Sequence, residues 1–336
     1  MGMLDHWQPV IRSHDLGRQP VGVRVADTLI ALFRTACGEV GALSDVCPHR
    51  RLKLSVGCVV GERLQCRYHG WTFDTAGRGE SPATPKMTAC TTSYDVREAH
   101  GLVWIKSRTS DPPFPTIAAP GFLPVAVLEH TIPAPLELAV DNFNEIEHSG
   151  TVHKTFGYDL DRLSDVKVQI EATADSVHVA NSGPTKRLNW FYHLLLGVRR
   201  GDIFHDHWTT RFSPVHSVFD HWWTSPDGTR ESMVRWRIYI FFVPYDAKST
   251  RIFTLAFAKS RYPVGPGGGL RLARWWLRRE IDREVRADIA MLDHMADYST
   301  HIEGLKLSRF DKVLGLTRER IARIYRGQSA SWRTIA

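Results

Sequence analysis

Cysteine is scarce in this chain, five in 336 residues, which excludes a disulfide-built scaffold, since such scaffolds pack more cysteines into a shorter secreted chain. Long apolar runs are missing too. The longest, such as 238–243, fall far short of the roughly 20 residues a membrane-spanning helix needs, so no span is expected. Residues 1–10 include Asp5, His6 and Gln8 and offer no apolar core for a signal peptide; a cytoplasmic location is expected. There is no GxGxxG and no P-loop, which argues against a nicotinamide or nucleotide site within the chain. No internal repeat or low-complexity tail appears. The net charge of +7 comes without any nucleic-acid motif and reads as solvated surface or a docking face for an acidic partner. At 43% hydrophobic, the chain has the material for two compact domains.

What is present is concentrated in two short loops. Cys47-Pro48-His49 is followed, sixteen residues on, by Cys66-Arg67-Tyr68-His69. Two thiolates and two imidazoles at this spacing suit a [2Fe-2S] cluster, with Cys47 and Cys66 on one iron and His49 and His69 on the other. A zinc site uses the same ligand types, but zinc fingers pair Cys with Cys and His with His, whereas here each loop supplies one of each. Cys37, Cys58 and Cys90 remain as reduced thiols. Arg50, Arg51, Lys53 and Arg67 flank the loops, either as steering charges or as solvated surface.

Around these loops the chain reads as short strands at 21–25, 28–34, 40–44, 64–66, 71–74, 94–97 and 102–106, bounded by turn residues. This predicts an all-β domain over 6–110. Pro112, Pro113, Pro115, Pro120 and Pro124 then mark a junction, 111–130, that is neither helix nor central strand. Over 131–336 we expect a helical patch at 138–153, strands at 166–172, 188–196, 217–224, 232–243 and 252–258, and a glycine break at 265–269. Leu277, Ile281, Val285, Ile289 and Leu292 then mark an amphipathic helix. The fold class is α+β, with an antiparallel sheet plus helices in the second domain.

A second metal centre is expected in that domain. His148 and His153 are five apart, about 140° around an ideal helix, and converge only if the helix ends between them, where Gly150 sits. Two histidines and one carboxylate form the facial triad of non-haem iron. Taken alone, the pair reads better as two ordinary surface or core histidines; beside the cysteine–histidine loops the metal reading takes precedence. Asp288 follows the apolar stripe of the C-terminal helix, and a lone buried carboxylate needs a partner or a metal. Asp282 neighbours arginines, and Asp293 is the reserve. The group His205, Asp206, His207, His216 and His221 reads as loop caps or solvated histidines rather than a further metal cluster. Trp190, Trp208, Trp222, Trp223 and Trp236 suit core packing, or the walls of an aromatic site.

Cys47-Pro48-His49-Arg50 and Cys66-Arg67-Tyr68-His69-Gly70-Trp71 resemble the Rieske centre of non-haem iron oxygenases. Respiratory Rieske proteins carry a further, disulfide-bonded cysteine in each loop, where this chain has Leu52 and Tyr68. Residues 142–153 are similar to the family's Asn-x-x-Asp-x-x-His-x4-His segment, with Glu145 in the Asp position, and 286–289 looks like its third-ligand helix. The length is similar to terminal oxygenases of the dicamba and vanillate O-demethylase type. The resemblance implies a Rieske [2Fe-2S] cluster and a mononuclear non-haem Fe(II) at His148, His153 and Asp288, with Asn142 supporting them. It also implies a homotrimer in which Glu145 bridges a Rieske histidine of one subunit to an iron-ligand histidine of the next. Glu, one methylene longer than Asp, would alter the approach of the two domains. Electrons would come from a separate ferredoxin or an NAD(P)H-dependent flavin reductase, and O2 would be used for monooxygenation, by hydroxylation or oxidative demethylation, of a small aromatic molecule. Two rivals are an electron-transfer protein without catalytic iron and a colourless, zinc-stabilised binding module.

Overall fold

A computed structural model describes residues 2–261 and 268–328. The chain forms two compact units. One contains the described residues up to Pro115 together with Val243–Ala247, the other Thr116–Phe242 and the described residues from Lys248 onward.

The first unit is built from β1 (Gln8–Arg12), β2 (Val21–Val25), β3 (Thr28–Arg34), β4 (Val40–Ser44), β5 (Cys58–Val60), β6 (Arg63–Gln65), β7 (Thr72–Phe73), β8 (Arg78–Glu80), β9 (Ala89–Cys90), β10 (Tyr94–Ala99) and β11 (Leu102–Ser107). They form sheets in the orders β1-β11-β10, β2-β3-β4 and β5-β6-β7-β8-β9. Two hairpins close through two-residue turns with both central residues left-handed, Ala26-Asp27 (φ 46° and 65°) and His100-Gly101 (φ 55° and 76°). That handedness matches the twist of the flanking strands. Pro9 is tolerated because β1 is an edge strand with a register shift between Pro9 and Ile11. Phe33, Leu43, Leu54, Leu64 and Phe73 make a dry core into which Cys47 and Cys66 also project.

The second unit is a seven-stranded sheet of order β12-β18-β17-β16-β15-β14-β13. Its strands are β12 (Leu123–Ile132), β13 (Lys167–Ala172), β14 (Ser176–Pro184), β15 (Ile203–Phe212), β16 (Val215–Thr224), β17 (Val234–Pro244) and β18 (Thr250–Ser260). Four helices accompany them among the described residues: α1 (Leu136–Phe143), α2 (Trp190–Leu196), α3 (Gly268–Asp293) and α4 (Lys312–Arg320). The proline-rich stretch runs directly into β12. Pro124 sits in that strand, where an edge position and a register shift between Pro124 and Ala126 remove the need for its missing N–H. Of the glycine break expected at 265–269, residues 265–267 lie outside the described residues.

Residues 188–196, expected as a strand from their aromatic content, are helical instead. Asn189 caps α2 by accepting a 3.1 Å bond from the Tyr192 N–H, and Gly197 ends it in the left-handed region at φ 67°. The end signals override side-chain propensity over so short a span. The helical patch expected at 138–153 divides into α1 and a separate 3-10 turn, Glu147–Gly150. Along α3, which packs against β12 and α1, Leu277, Ile281, Val285 and Leu292 are buried as their spacing requires, yet so are Glu280, Glu284 and Asp288. An apolar stripe that carries three acids is unusual, and it sets the chemistry of this unit.

The helix leading to the second metal centre is anchored by a buried ion pair. Asp141 of α1 accepts from Arg318 Nε of α4 at 2.8 Å and from its Nη2, and both side chains are buried. Burial lifts the Asp141 carboxyl to about 6 even against the guanidinium. Removing one partner strands a charge, so Arg318→Met is expected to cost about 3–5 kcal/mol in urea unfolding. Adding Asp141→Leu to that variant should recover most of the loss; simple additivity would show that the pair is not coupled.

Candidate metal centres

The two cysteine–histidine loops are the same backbone structure twice. In the first, the Cys47 N–H donates to Leu52 O at 2.9 Å and the Arg51 N–H returns to Cys47 O at 2.9 Å. In the second, Cys66 N–H donates to Trp71 O at 2.7 Å and Gly70 N–H returns to Cys66 O at 3.1 Å. Arg51 and Gly70 occupy matching left-handed positions, φ 61° and 70°. Asp45 pins the base of the first loop by accepting from the Ser55 N–H (2.6 Å) and hydroxyl (2.7 Å).

This repetition separates the ligands by type. Cys47 and Cys66 are both buried and are not joined as a disulfide. His49 is exposed and His69 half-buried, with ring centroids 4.4 Å apart. Trp71 stacks on His49 at 4.8 Å and 10°. Burial pushes the Cys47 thiol up, while the backbone N–H groups of His49 and Arg50 pull it down. His69 is held below its ordinary value by burial first, then by His49 and Arg50, which favours the neutral, ligating ring. Two buried sulfurs beneath two outward imidazoles fit a cluster whose irons take unlike ligand pairs.

In the second unit the chain from α1 passes through the turn at Glu147–Gly150, which carries His148, and then runs irregularly past His153. Three side-chain atoms converge. His148 Nε2 lies 3.1 Å from His153 Nε2, and Asp288 Oδ1 lies 3.2 Å and 3.4 Å from the two nitrogens. Three adjacent ligands at about 2.1 Å from one ion would stand roughly 3.0–3.4 Å apart. Asp288 Oδ1 is buried without a hydrogen-bond donor, a costly state that a cation would relieve. Among the described residues, no other group of three His, Cys, Asp or Glu converges in this way.

The outer nitrogens are held as well. Glu145 Oε1 bonds His148 Nδ1, and Glu145 Oε2 accepts the Glu147 N–H at 2.6 Å. Glu284 Oε2 lies 3.0 Å from His153 Nδ1, and its two oxygens also accept the Lys154 and Thr155 N–H groups at 3.1 Å and 3.0 Å. Burial works against charge on His148, but Asp288 and Glu145 outweigh it and lift the ring to about 10. Glu284 stays below its ordinary value because His153 and Arg283 overcome its burial. The pocket is tuned for positive charge. Gly157 seats the loop: at φ 129° it is left-handed, and a Cβ there would meet Ser149 O at 2.4 Å.

Asp293 is exposed at the end of α3 and Asp282 pairs with His130 and Arg286, so Asp288 alone of these acids reaches the histidines. Asn142 stands on α1 and does not line the cavity. Three groups escaped the sequence reading. Glu284 is one helical turn before Asp288, and its place in the apolar stripe was the available signal. Lys186 donates to the carbonyls of Ser149 (2.9 Å) and His153, with burial pulling it down to about 8. Asp206 and His221, directly opposite on β15 and β16, line the same cavity. His205 and His207 alternate away from Asp206 and pack on Trp222, while His216 is buried against Phe241. The aromatic wall is made by Phe143, Phe156, Phe204 and Phe219, not by tryptophan; Trp208, Trp223 and Trp236 are buried in the core and Trp190 is exposed.

Residues 6–95 match the family described as Rieske [2Fe-2S] domain, and residues 132–268 match the vanillate O-demethylase oxygenase C-terminal domain. The chain is 29% identical to protein TIC 55, chloroplastic, of Arabidopsis thaliana, over 51% of this chain and 34% of that protein. It is 33% identical to the dicamba O-demethylase oxygenase component of Stenotrophomonas maltophilia, over 44% of this chain and 47% of that one. The chain thus spans about a third to half the length of these relatives. The crystal structure of dicamba monooxygenase bound to dicamba shares the fold, with a TM-score of 0.77 at 19% identity over 96% of this chain and 97% of that one.

Purified protein should be brown and contain acid-labile sulfide, and Cys66→Ser should remove both. Ferric thiolate charge transfer gives the colour, which zinc with its filled d shell lacks. A colourless, zinc-loaded preparation from iron-replete cells would overturn the cluster.

Proposed function

Because the chain belongs to the Rieske non-haem iron oxygenases, we propose that it is the terminal oxygenase of a multicomponent system. It would act in the cytoplasm as a homotrimer, taking electrons from a separate ferredoxin or NAD(P)H-dependent flavin reductase and using O2 to hydroxylate or oxidatively demethylate a small molecule. The observation that carries this reading is the triangle of His148 Nε2, His153 Nε2 and Asp288 Oδ1, opening on a cavity walled by Phe143, Phe156, Phe204 and Phe219. An electron carrier needs neither triad nor cavity. A zinc module fits poorly with the matched cluster domain. In this reading the cluster domain covers 6–110, the proline-rich junction 111–130 and the catalytic domain 131–336.

The cluster, held by Cys47, His49, Cys66 and His69, supplies electrons singly, and a mononuclear Fe(II) held by His148, His153 and Asp288 supplies the redox centre for O2. The protein's own part is positional. Glu145 and Glu284 take the Nδ1 side of each imidazole, which directs both Nε2 lone pairs inward and raises their basicity. Phenylalanine walls exclude water from the reacting volume. Glu145 has a second role here: its carboxylate would link His148 of one subunit to His69 of the next. To do so, Oε2 must exchange the Glu147 N–H for the incoming imidazole.

His153→Ala should leave the cluster spectrum intact while removing one iron per subunit and all turnover. Glu284→Gln should weaken iron affinity by about 10–100-fold. Metal analysis would also find Asp288→Asn far more damaging than Asp293→Asn; equal effects would unseat Asp288 as third ligand.

The inter-subunit role has its own test. Cys66→Ser and His153→Ala homotrimers should each be inactive, whereas co-expression should restore part of the activity through interfaces that pair an intact cluster with an intact iron site. Adding Glu145→Ala to the Cys66→Ser chain, which carries the only intact iron sites, should abolish that recovery. Absence of recovery in demonstrated mixed trimers would mean transfer within one subunit.

A further inference from the structure

The cavity beside the triad has a second polar element. His221 Nε2 lies 2.9 Å from Asp206 Oδ1, and the two residues are direct cross-strand partners on β15 and β16. A carboxylate only accepts, so Nε2 carries the shared proton, and in the tautomer this bond fixes Nδ1 is the acceptor. No group among the described residues bonds that Nδ1, although the atom is buried. Around the ring stand Phe156, Phe204 and Phe219, with centroids 4.7, 5.6 and 5.9 Å from that of His221. A buried acceptor without a partner, on a sheet side of the cavity that apart from this pair is Phe204, Phe219, Ile238 and Ile240, is suited to one hydrogen bond from a guest.

The charge of the cavity limits that guest further. Among the described residues lining it there is no lysine or arginine, while Glu145, Asp206, Glu284 and Asp288 all contribute carboxylates. Lys186 is tied to the carbonyls of Ser149 and His153, and Arg283 to Glu280 and Glu284; neither lines the cavity. Four carboxylates outnumber the charge of one divalent ion at the triad. An anionic guest would enter beside four carboxylates in a space that no described lysine or arginine lines, and like-charge repulsion in a poorly solvated site is strongly unfavourable.

We propose that Asp206 and His221 anchor the substrate, and that the substrate is an uncharged, largely apolar molecule whose single O–H or N–H donates to His221 Nδ1. Asp206 acts as a positioning residue, fixing the ring so that the acceptor faces the guest. This rests on the oxygenase reading of the cavity, and it separates the chain from enzymes of the same fold that take aromatic acids.

The test uses iron-loaded protein and two matched probe sets: 4-ethylphenol, 4-ethylanisole and 4-ethylbenzoate, and 2-naphthol, 2-methoxynaphthalene and 2-naphthoate. Calorimetric titration should show at least one hydroxyl probe binding about tenfold more tightly than its ether and its carboxylate. His221→Phe should erase the preference for hydroxyl over ether. Should that variant not fold, Asp206→Asn, which releases the ring, should reduce the same preference. A carboxylate that binds as well as the hydroxyl, a preference that survives both substitutions, or no binding by either hydroxyl probe would overturn the assignment. Iron content and cluster absorbance measured on the same samples report separately on the oxygenase reading: their absence from wild-type protein would count against that reading, whichever probe binds.

Discussion

Three carboxylates crowd two imidazoles in an apolar pocket, and the second unit is organised around that constraint. Glu145, Glu284 and Asp288 lie within bonding reach of His148 and His153. Without positive charge the cluster would be strongly self-repulsive. The protein supplies part of the balance by raising His148 to about 10. A cation at the point where both Nε2 atoms and Asp288 Oδ1 converge would take the place of that ring's extra proton and bring more charge than it. The arrangement also explains why α3 tolerates acids along a stripe that periodicity reserves for leucine and isoleucine: each buried acid there has an assigned partner. Glu280 meets Tyr192 and Arg283, Glu284 meets His153, and Asp288 meets both histidines.

The first unit solves a different electrostatic problem. Its thiols are in the dry core and its imidazoles at the surface, so one end of the cluster is insulated and the other is presented outward. Two loops of identical hydrogen-bond pattern produce this polarity, because each places its cysteine at the root and its histidine near the tip. Arg50 and Arg67 are exposed in the same two loops.

How much of this could be read from the sequence depended on how local each feature is. The strands over 21–25, 28–34 and 40–44 and the four Rieske-type positions are fixed by short spacing, and alternation or motif reveals them. His148 and His153 were equally local, and Gly150 marked the loosening they needed. Asp288 came from a helical-face argument that stopped one residue type too soon: it sought a single metal ligand, so Glu284, on the same face one turn earlier, passed as ordinary charge. Lys186, Asp206 and His221 were out of reach because their roles depend on tertiary placement. Asp206 meets His221 only through the β15–β16 register. The helix over Trp190–Leu196 was misread because aromatic content was weighed above its Asn189 and Gly197 end signals.

The two levels of the site are therefore coupled through α3. Glu284 and Asp288 are separated by one turn, and they hold opposite sides of the same imidazole: Glu284 at His153 Nδ1, Asp288 at His153 Nε2. One turn of helix, about 6 Å over four residues, is enough to bring both carboxylates to this ring. Sliding or kinking of α3 cannot improve one contact without loosening the other, so the ring orientation is set by helix geometry rather than by loop packing. The irregular chain from Thr151 to Phe156 can then remain loop, as the turn between the histidines demands, because the rigid element stands opposite it. The sheet face carrying Asp206 and His221 lies on the same cavity and contributes no atom to the triad.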